Sequence, residues 1–365
     1  FNAAPFAQHP HAIEDRESGP HPIGPDRGSG TGLQEIEPWN AVFDMAAFGD
    51  PGRGDPGGNR GEMGFIVFGH DDCLAHVTPP GHPERVQRLR AIEAGLAGLA
   101  VERRECPAGD EADVLRCHPA GYLAAVKRAV PAEGWAQLDA DTFLAPGSLA
   151  AAMRAVGGVC AAVDAVVTNG GAAFVGCRPP GHHAETAKAM GFCLFGTAAI
   201  GVKRALDFHG LSRVALVDFD VHHGNGSQDL LWDEERCLFA SSHQMPLFPG
   251  TGRPEERGAH GQVLNVPLRA GSDGLMMRAA YERLVLPAVA DWKPDLLLVS
   301  AGFDAHRADP LAGLEWEAED FAWLATRLWE VSAGRVVSTL EGGYDLDALA
   351  VSVAAYVGEM ARLSA

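Results

Sequence analysis

Eight short candidate strands recur along this chain, most of them apolar runs, at 64–68, 101–106, 173–177, 213–219, 236–241, 262–267, 295–301 and 335–340. Between most of them lie stretches of helical period. Val86, Leu89, Ile92, Leu96 and Leu99 make one apolar stripe, and a second helix over 198–208 stops at Gly210. Further helices are predicted at 149–167, 274–290, 318–332 and 345–363. Strands that alternate with helices in this way must pair in parallel through crossovers. The pattern therefore predicts an α/β fold, a mainly parallel eight-stranded sheet with helices on both faces. There is no internal repeat.

Residues 1–62 read differently. They are rich in Pro, Gly, His and Asp, lack sustained periodicity, and end in Asp-Pro-Gly-Arg-Gly-Asp-Pro-Gly-Gly-Asn-Arg-Gly-Glu, with hydrophobic content only at 39–48. Such a composition does not bury enough apolar surface to offset its ordering entropy, so 1–62 is expected to be a low-complexity, disordered or non-native segment. A folded domain is expected over 63–365. With 365 residues, 47% hydrophobic, and a mean hydropathy of −0.03, the chain has material for one large α/β domain.

Charge and cysteine usage narrow the classes further. The net charge of −19 with no basic run disfavours nucleic acid as a partner and would instead attract cationic molecules. Seven scattered cysteines, odd in number and never spaced Cys-x-x-Cys, argue for a reducing compartment and against a disulfide framework or a cysteine zinc site. No membrane span and no signal peptide are expected, which makes a cytoplasmic protein the reading. A homo-oligomer stays open.

The chemistry gathers at strand ends. Residues 214–226 read Val-Ala-Leu-Val-Asp-Phe-Asp-Val-His-His-Gly-Asn-Gly, an apolar strand that runs into carboxylates and imidazoles. Alternation along a strand puts Asp218, Asp220 and His222 on one side, at the edge where open α/β sheets bind ligands. A carboxylate and an imidazole two residues apart suit Zn²⁺, and Asp304, after the apolar run that ends in Val299, is the candidate third ligand. Four further segments bring polar or aromatic groups to strand ends. Arg-Pro-Pro-Gly-His-His-Ala-Glu (178–185) offers His182 and His183 for proton transfer. Glu-Gly-Gly-Tyr-Asp (341–345) presents Tyr344 as a donor to a developing oxyanion. Ser241-Ser242-His243 with the loop from Phe248 to Gly252, and Met190-Gly191-Phe192-Cys193, supply rings for a narrow apolar slot.

Together these residues resemble the arginase–deacetylase superfamily, and within it the zinc-dependent histone deacetylase family, closest to class II-like and bacterial acetylpolyamine amidohydrolase-like members. The resemblance covers about 64–349 and rests on Gly-His-Pro-Glu-Arg (81–85), Pro-Pro-Gly-His-His-Ala (179–184), Gly-Phe-Cys (191–193), Asp-Phe-Asp-Val-His-His-Gly-Asn-Gly (218–226), Ala-Gly-Phe-Asp (301–304) and Glu-Gly-Gly-Tyr (341–344). It implies a single-domain, three-layer arginase–deacetylase fold and one catalytic Zn²⁺ on Asp220, His222 and Asp304. His182 and His183 would be tandem histidines partnered by Asp218 and Asn225, and Tyr344 would polarise the substrate carbonyl. Phe192 and Phe248 would wall a substrate tunnel that Gly191, Gly343 and Leu311 help to line. Arg85 would hold backbone carbonyls near Gly342 and Gly343, and Asp218, Ser241 and Ser242 would form part of a structural K⁺ site with the backbone around Asp220 and His222.

The implied reaction is hydrolysis of an N-acyl amide, such as acetyl-lysine or a related acetylated amine, to an amine and a carboxylate. The division of labour between the two histidines stays open, as does an acetylpolyamine or a small synthetic amide as substrate. Leu311 stands where dedicated polyamine deacetylases carry a glutamate, which favours acetyl-lysine-like or neutral amides. Gly196-Thr197 replaces the Asn-Asn of many relatives, and altered helix capping is the expected effect. A binuclear manganese centre like that of arginase would need a carboxylate where His306 stands. A non-catalytic binding module is disfavoured because the ligands, both histidines and Tyr344 are all present.

Overall fold

A computed structural model describes residues 64–365; the expectation for 1–62, and the boundary at Met63, lie outside the described residues. The predicted runs become β1 (Ile66–Gly69), β2 (Glu102–Glu105), β5 (Gly171–Val175), β6 (Val214–Asp218), β7 (Cys237–Gln244), β8 (Val263–Leu268), β9 (Leu296–Ala301) and β10 (Arg335–Leu340). They form one sheet in the order β2-β1-β5-β10-β9-β6-β7-β8. Every registered pair in it is parallel. Helices cover both faces, which is why the central strands are largely apolar: β6 and β9 are buried at every residue.

The helices follow their signals. α1 (Gln87–Leu96) buries Leu89, Ile92 and Leu96, and α4 (Ser148–Asn169) spans the 149–167 prediction. α5 (Thr197–Lys203) continues as a π-helical turn (Arg204–Phe208) before Gly210, whose φ of 69° reverses the chain. α7 (Gly274–Ala280) and α8 (Leu286–Trp292) flank another π-helical turn, Tyr281–Val285. α9 (Ala318–Val331) starts with a reciprocal Glu317–Asp320 capping box, and α10 (Leu346–Ser364) is capped by Asp345. The short elements α2 (Glu111–Val114), α3 (Ala120–Ala129), α6 (Asn225–Leu230) and the hairpin of β3 (Ala136–Gln137) with β4 (Phe143–Leu144) were not anticipated. All but α3 are too short to set a period.

Two expectations need comment. α4 is, by length and composition, apolar enough to cross a membrane, contrary to the expectation that no segment is. Most of that apolar stretch is buried inside the protein, where α4 packs on β5, β1 and β10. At the start of α5 the N-cap Gly196 has no side-chain capping bond, and its N–H donates instead to His118 Nε2 at 2.9 Å.

Candidate active site

The four central strands β5, β10, β9 and β6 end side by side, and each delivers part of one site. Asp220, His222 and Asp304 present ligand atoms within 4.8 Å of one another, all buried. His222 Nδ1 lies 3.2 Å from Asp220 Oδ1 and 3.1 Å from Asp304 Oδ2. Backbone amides fix both carboxylates: Val221 donates to Asp304 Oδ1, and Gly342 donates to Asp220 Oδ2 at 2.7 Å. A Cβ on Gly342 would overlap the Asp304 carboxylate, so the close approach of the β10 turn requires glycine.

This donor set fits a divalent cation. Two fully buried carboxylates carry a charge that the interior tolerates only when it is compensated. His182 and His222 both face these carboxylates. Burial would lower the pKa of His222, but hydrogen bonds and charge from Asp220 and Asp304 raise it to about 10. Two carboxylates and one imidazole are donors of the kind a divalent cation takes.

The tandem histidines have unlike partners. His182 Nδ1 is 3.0 Å from Asp218 Oδ2, and His183 Nδ1 is 2.7 Å from Asn225 Oδ1. Their rings lie 4.0 Å apart between centroids. Burial opposes charge on both, yet the carboxylates of Asp220 and Asp218 raise His182 well above its ordinary value. His183 is lowered well below it, by burial first and then by His182 and His222. Asn225 is itself oriented by donating from Nδ2 to Glu185 Oε1 at 2.7 Å.

Tyr344 is buried, and burial pushes its hydroxyl well above the usual range, so it stays a donor. Its turn is held from several sides. Tyr344 N–H donates to Asp309 Oδ2 at 2.7 Å, and Arg88 Nε donates to the Gly343 carbonyl at 2.6 Å. Arg88 also donates to the Glu341 carbonyl and sits over the Tyr344 ring, 4.9 Å from its centroid. This corrects the expectation for Arg85, which is exposed. The helix begins only at Gln87, so Arg88 lies beside the buried stripe of α1 and Arg85 precedes it.

Two phenylalanine rings pack against the site residues. Phe192 packs edge-on to Tyr344 (5.8 Å) and His82 (4.8 Å), while Phe248 packs edge-on to His183 (5.1 Å). Phe192 adopts φ 69°, and its N–H donates to Thr142 Oγ1. Gly191 is required beside it, since a Cβ there would overlap the His183 ring. Leu311 is half-buried, and its N–H donates to Asp309 Oδ1, the carboxylate that also holds Tyr344.

Asp218 and Ser241 stand opposite each other in the β6–β7 ladder. The Ser241 hydroxyl lies 3.0 Å from His243 Nδ1, and that of Ser242 lies 2.8 Å from the Tyr281 hydroxyl. His306 lies 3.6 Å from Glu317, and among the described residues the only metal-competent group is the Asp220–His222–Asp304 set.

Sequence reasoning missed a polar layer under the site. Glu84 is completely buried and accepts from both Arg178 and Arg88, with His76 Nε2 3.4 Å away. The i,i+4 spacing of Glu84 and Arg88 was the available signal. The contacts of Asp309 with Tyr344 and of Glu341 with Gly181 and His182 join residues distant in sequence, which local pattern does not reveal.

Comparison with known proteins agrees with this geometry. A family model described as the histone deacetylase domain matches residues 82–360. The uncharacterized protein slr0245 of Synechocystis is 44% identical over 290 residues, covering 77% of this chain and 94% of that protein. The histone deacetylase-like amidohydrolase of Pseudomonas aeruginosa is 38% identical over 285 residues, covering 73% and 74%. The crystal structure of the HDA15 HD domain superposes with a TM-score of 0.79 at 30% identity, covering 83% of this chain and 89% of that one.

Proposed function

This chain belongs to the histone deacetylase family, and from that premise we propose that it is a zinc-dependent amidohydrolase that cleaves N-acyl amides to an amine and a carboxylate. Acetyl-lysine and related acetylated amines are the substrate class. The observation that carries this reading is one buried carboxylate–imidazole–carboxylate set beside two histidines of unequal basicity and a protonated tyrosine.

Asp220, His222 and Asp304 would hold the zinc. When bound, it polarises the acyl carbonyl and acidifies a water molecule. His183 donates its Nδ1–H to Asn225, so its Nε2 is free to take the proton of an attacking water. Returned from His183, that proton neutralises the departing amine. His182, charged and held by Asp218, keeps a positive potential beside the reacting atoms. Tyr344 donates to the oxygen that becomes negative, an interaction worth about 3 kcal/mol in the transition state. Phe192 and Phe248 flank the approach and favour an extended, apolar chain, such as the aliphatic part of a lysine-like amine.

The same reading includes a structural K⁺ at Asp218, Ser241 and the Ser242 carbonyl, which the facing positions of Asp218 and Ser241 support. It includes a reducing cytoplasmic setting, which seven unpaired cysteines support. Acetylpolyamines are a second substrate class, favoured by the net charge of −19.

The test is metal content and turnover of the purified protein on acetyl-lysine peptides, acetylated polyamines and simple amides. About one zinc per chain is expected, and Asp304→Ala should lose metal and activity together while remaining folded. Full zinc occupancy and turnover in that variant would sink the ligand assignment.

A further inference from the structure

Glu341 directly follows β10, is completely buried, and takes part in none of the steps above. Its Oε2 accepts the N–H of Gly181 at 2.7 Å and that of His182 at 3.1 Å. The other carboxylate oxygen, also buried, has no hydrogen-bond partner in the protein. The main chain of Glu341 is bonded too: its N–H donates to Ala301 O at 2.9 Å, at the end of the strand that leads to Asp304, and its carbonyl accepts from Arg88. A single residue therefore joins the tandem-histidine loop to the turn that carries Tyr344.

Leaving one carboxylate oxygen buried and unpaired is unfavourable, so the two amide bonds on the other oxygen account for the placement. The loop they hold is anchored on its far side by Ser227 N–H donating to His182 O at 3.0 Å, and within itself by Ala184 N–H donating to Gly181 O. Glu341 supplies the anchor on the Tyr344 side.

We propose that Glu341 is a positioning residue for the amide hydrolysis assigned above, its Oε2 fixing the Gly181–His182 backbone so that His182 and His183 keep their spacing to Tyr344. This rests on that functional reading and deepens it. Groups that act in one transition state must keep their mutual geometry, and a misplacement of about 1 Å costs on the order of a hundredfold in rate.

The experiment compares Glu341→Gln with Glu341→Ala, measuring kcat, KM and zinc content on an acetyl-lysine peptide. The amide oxygen of glutamine accepts the same two N–H groups, so Glu341→Gln should keep kcat within about threefold, whereas Glu341→Ala should lower it about a hundredfold, with KM and zinc content unchanged. Equal losses in both variants would overturn the proposal, because the charge and not the acceptor geometry would then matter. So would a rise in KM at unchanged kcat, or a loss of zinc that parallels the loss of rate. Should the alanine variant fail to fold, Glu341→Asp withdraws the carboxylate by one methylene; it should lose kcat where Glu341→Gln does not, and an aspartate variant as active as glutamine overturns the proposal. Wild-type protein that hydrolyses no acyl amide overturns the functional reading and this proposal with it, whereas wild-type turnover matched by Glu341→Ala overturns this proposal alone.

Discussion

His183 points Nδ1 at the amide oxygen of Asn225, 2.7 Å away, so the ring N–H is committed to that bond and Nε2 carries the lone pair. Its neighbour His182 makes the corresponding contact to a carboxylate, Asp218. Adjacent imidazoles are thereby set to opposite tasks by one atom in each partner.

A pH prediction follows from that difference. Burial, then His182 and His222, hold His183 well below its ordinary pKa, so it is a neutral base through the physiological range. A base must be unprotonated to act, and activity is lost as pH falls through its folded pKa. Asn225→Asp places a negative charge on the ring and raises that pKa, by about one unit or more. The acid limb of kcat/KM against pH should move to higher pH by that amount. An acid limb that stays in place would remove His183 from the role of base.

Tyr344→Phe deletes a donor used mainly in the transition state. Turnover should fall by about a hundredfold, close to 3 kcal/mol, with KM and zinc content little changed. Steady-state kinetics with metal analysis reads both. An unaltered kcat would take Tyr344 out of the mechanism.

Glu84 should matter for stability. Both Arg88 and Arg178 are fully buried against it, and Glu84→Ala would leave two buried guanidinium charges without their carboxylate, at a cost of about 3–5 kcal/mol. Burial alone would raise the Glu84 carboxyl, yet Arg178 and His76 hold it well below the usual range. Its contribution is therefore complete above the unfolded-state pKa of about 4.3 and fades only as pH falls through the lower folded value. Urea unfolding of wild type and variant at pH 7 and pH 5 should give the same difference. A difference under about 1 kcal/mol would show that the pair is dispensable.

Leu311 bears on selectivity. A leucine on the turn that Asp309 holds offers no charge to a distal ammonium, and placing an ammonium beside it is unfavourable. Acetyl-lysine peptides and neutral amides should be hydrolysed at least as well as acetylspermidine, and Leu311→Glu should shift preference towards the polyamine. Specificity constants decide this: a wild-type preference for acetylspermidine of about tenfold, or roughly 1.4 kcal/mol, would contradict it.

Local pattern alone located most of the strands and most of the helices, because strands buried on both faces are largely apolar and crossover helices must carry an apolar stripe; the edge strand β2, Glu-Arg-Arg-Glu, carries no such pattern. Local pattern also located Asp220, His222 and Asp304, which stand within five residues of strand ends. The structure then decided what depends on partners far apart in the chain. Whether Arg85 or Arg88 reaches the Gly343 carbonyl turned on where α1 begins. Whether the apolar α4 is core or membrane span turned on its packing against the sheet, which the same composition serves equally well. The sequence assigned no role to the carboxylates of Glu84, Asp309 and Glu341, although Glu84 and Glu341 stand within the motifs. All three are buried because their partners, up to 160 residues away, arrive only when parallel strands align their ends. Periodicity records which face of an element is apolar, but a buried charge is placed by the groups that compensate it, and those come together only in the folded chain.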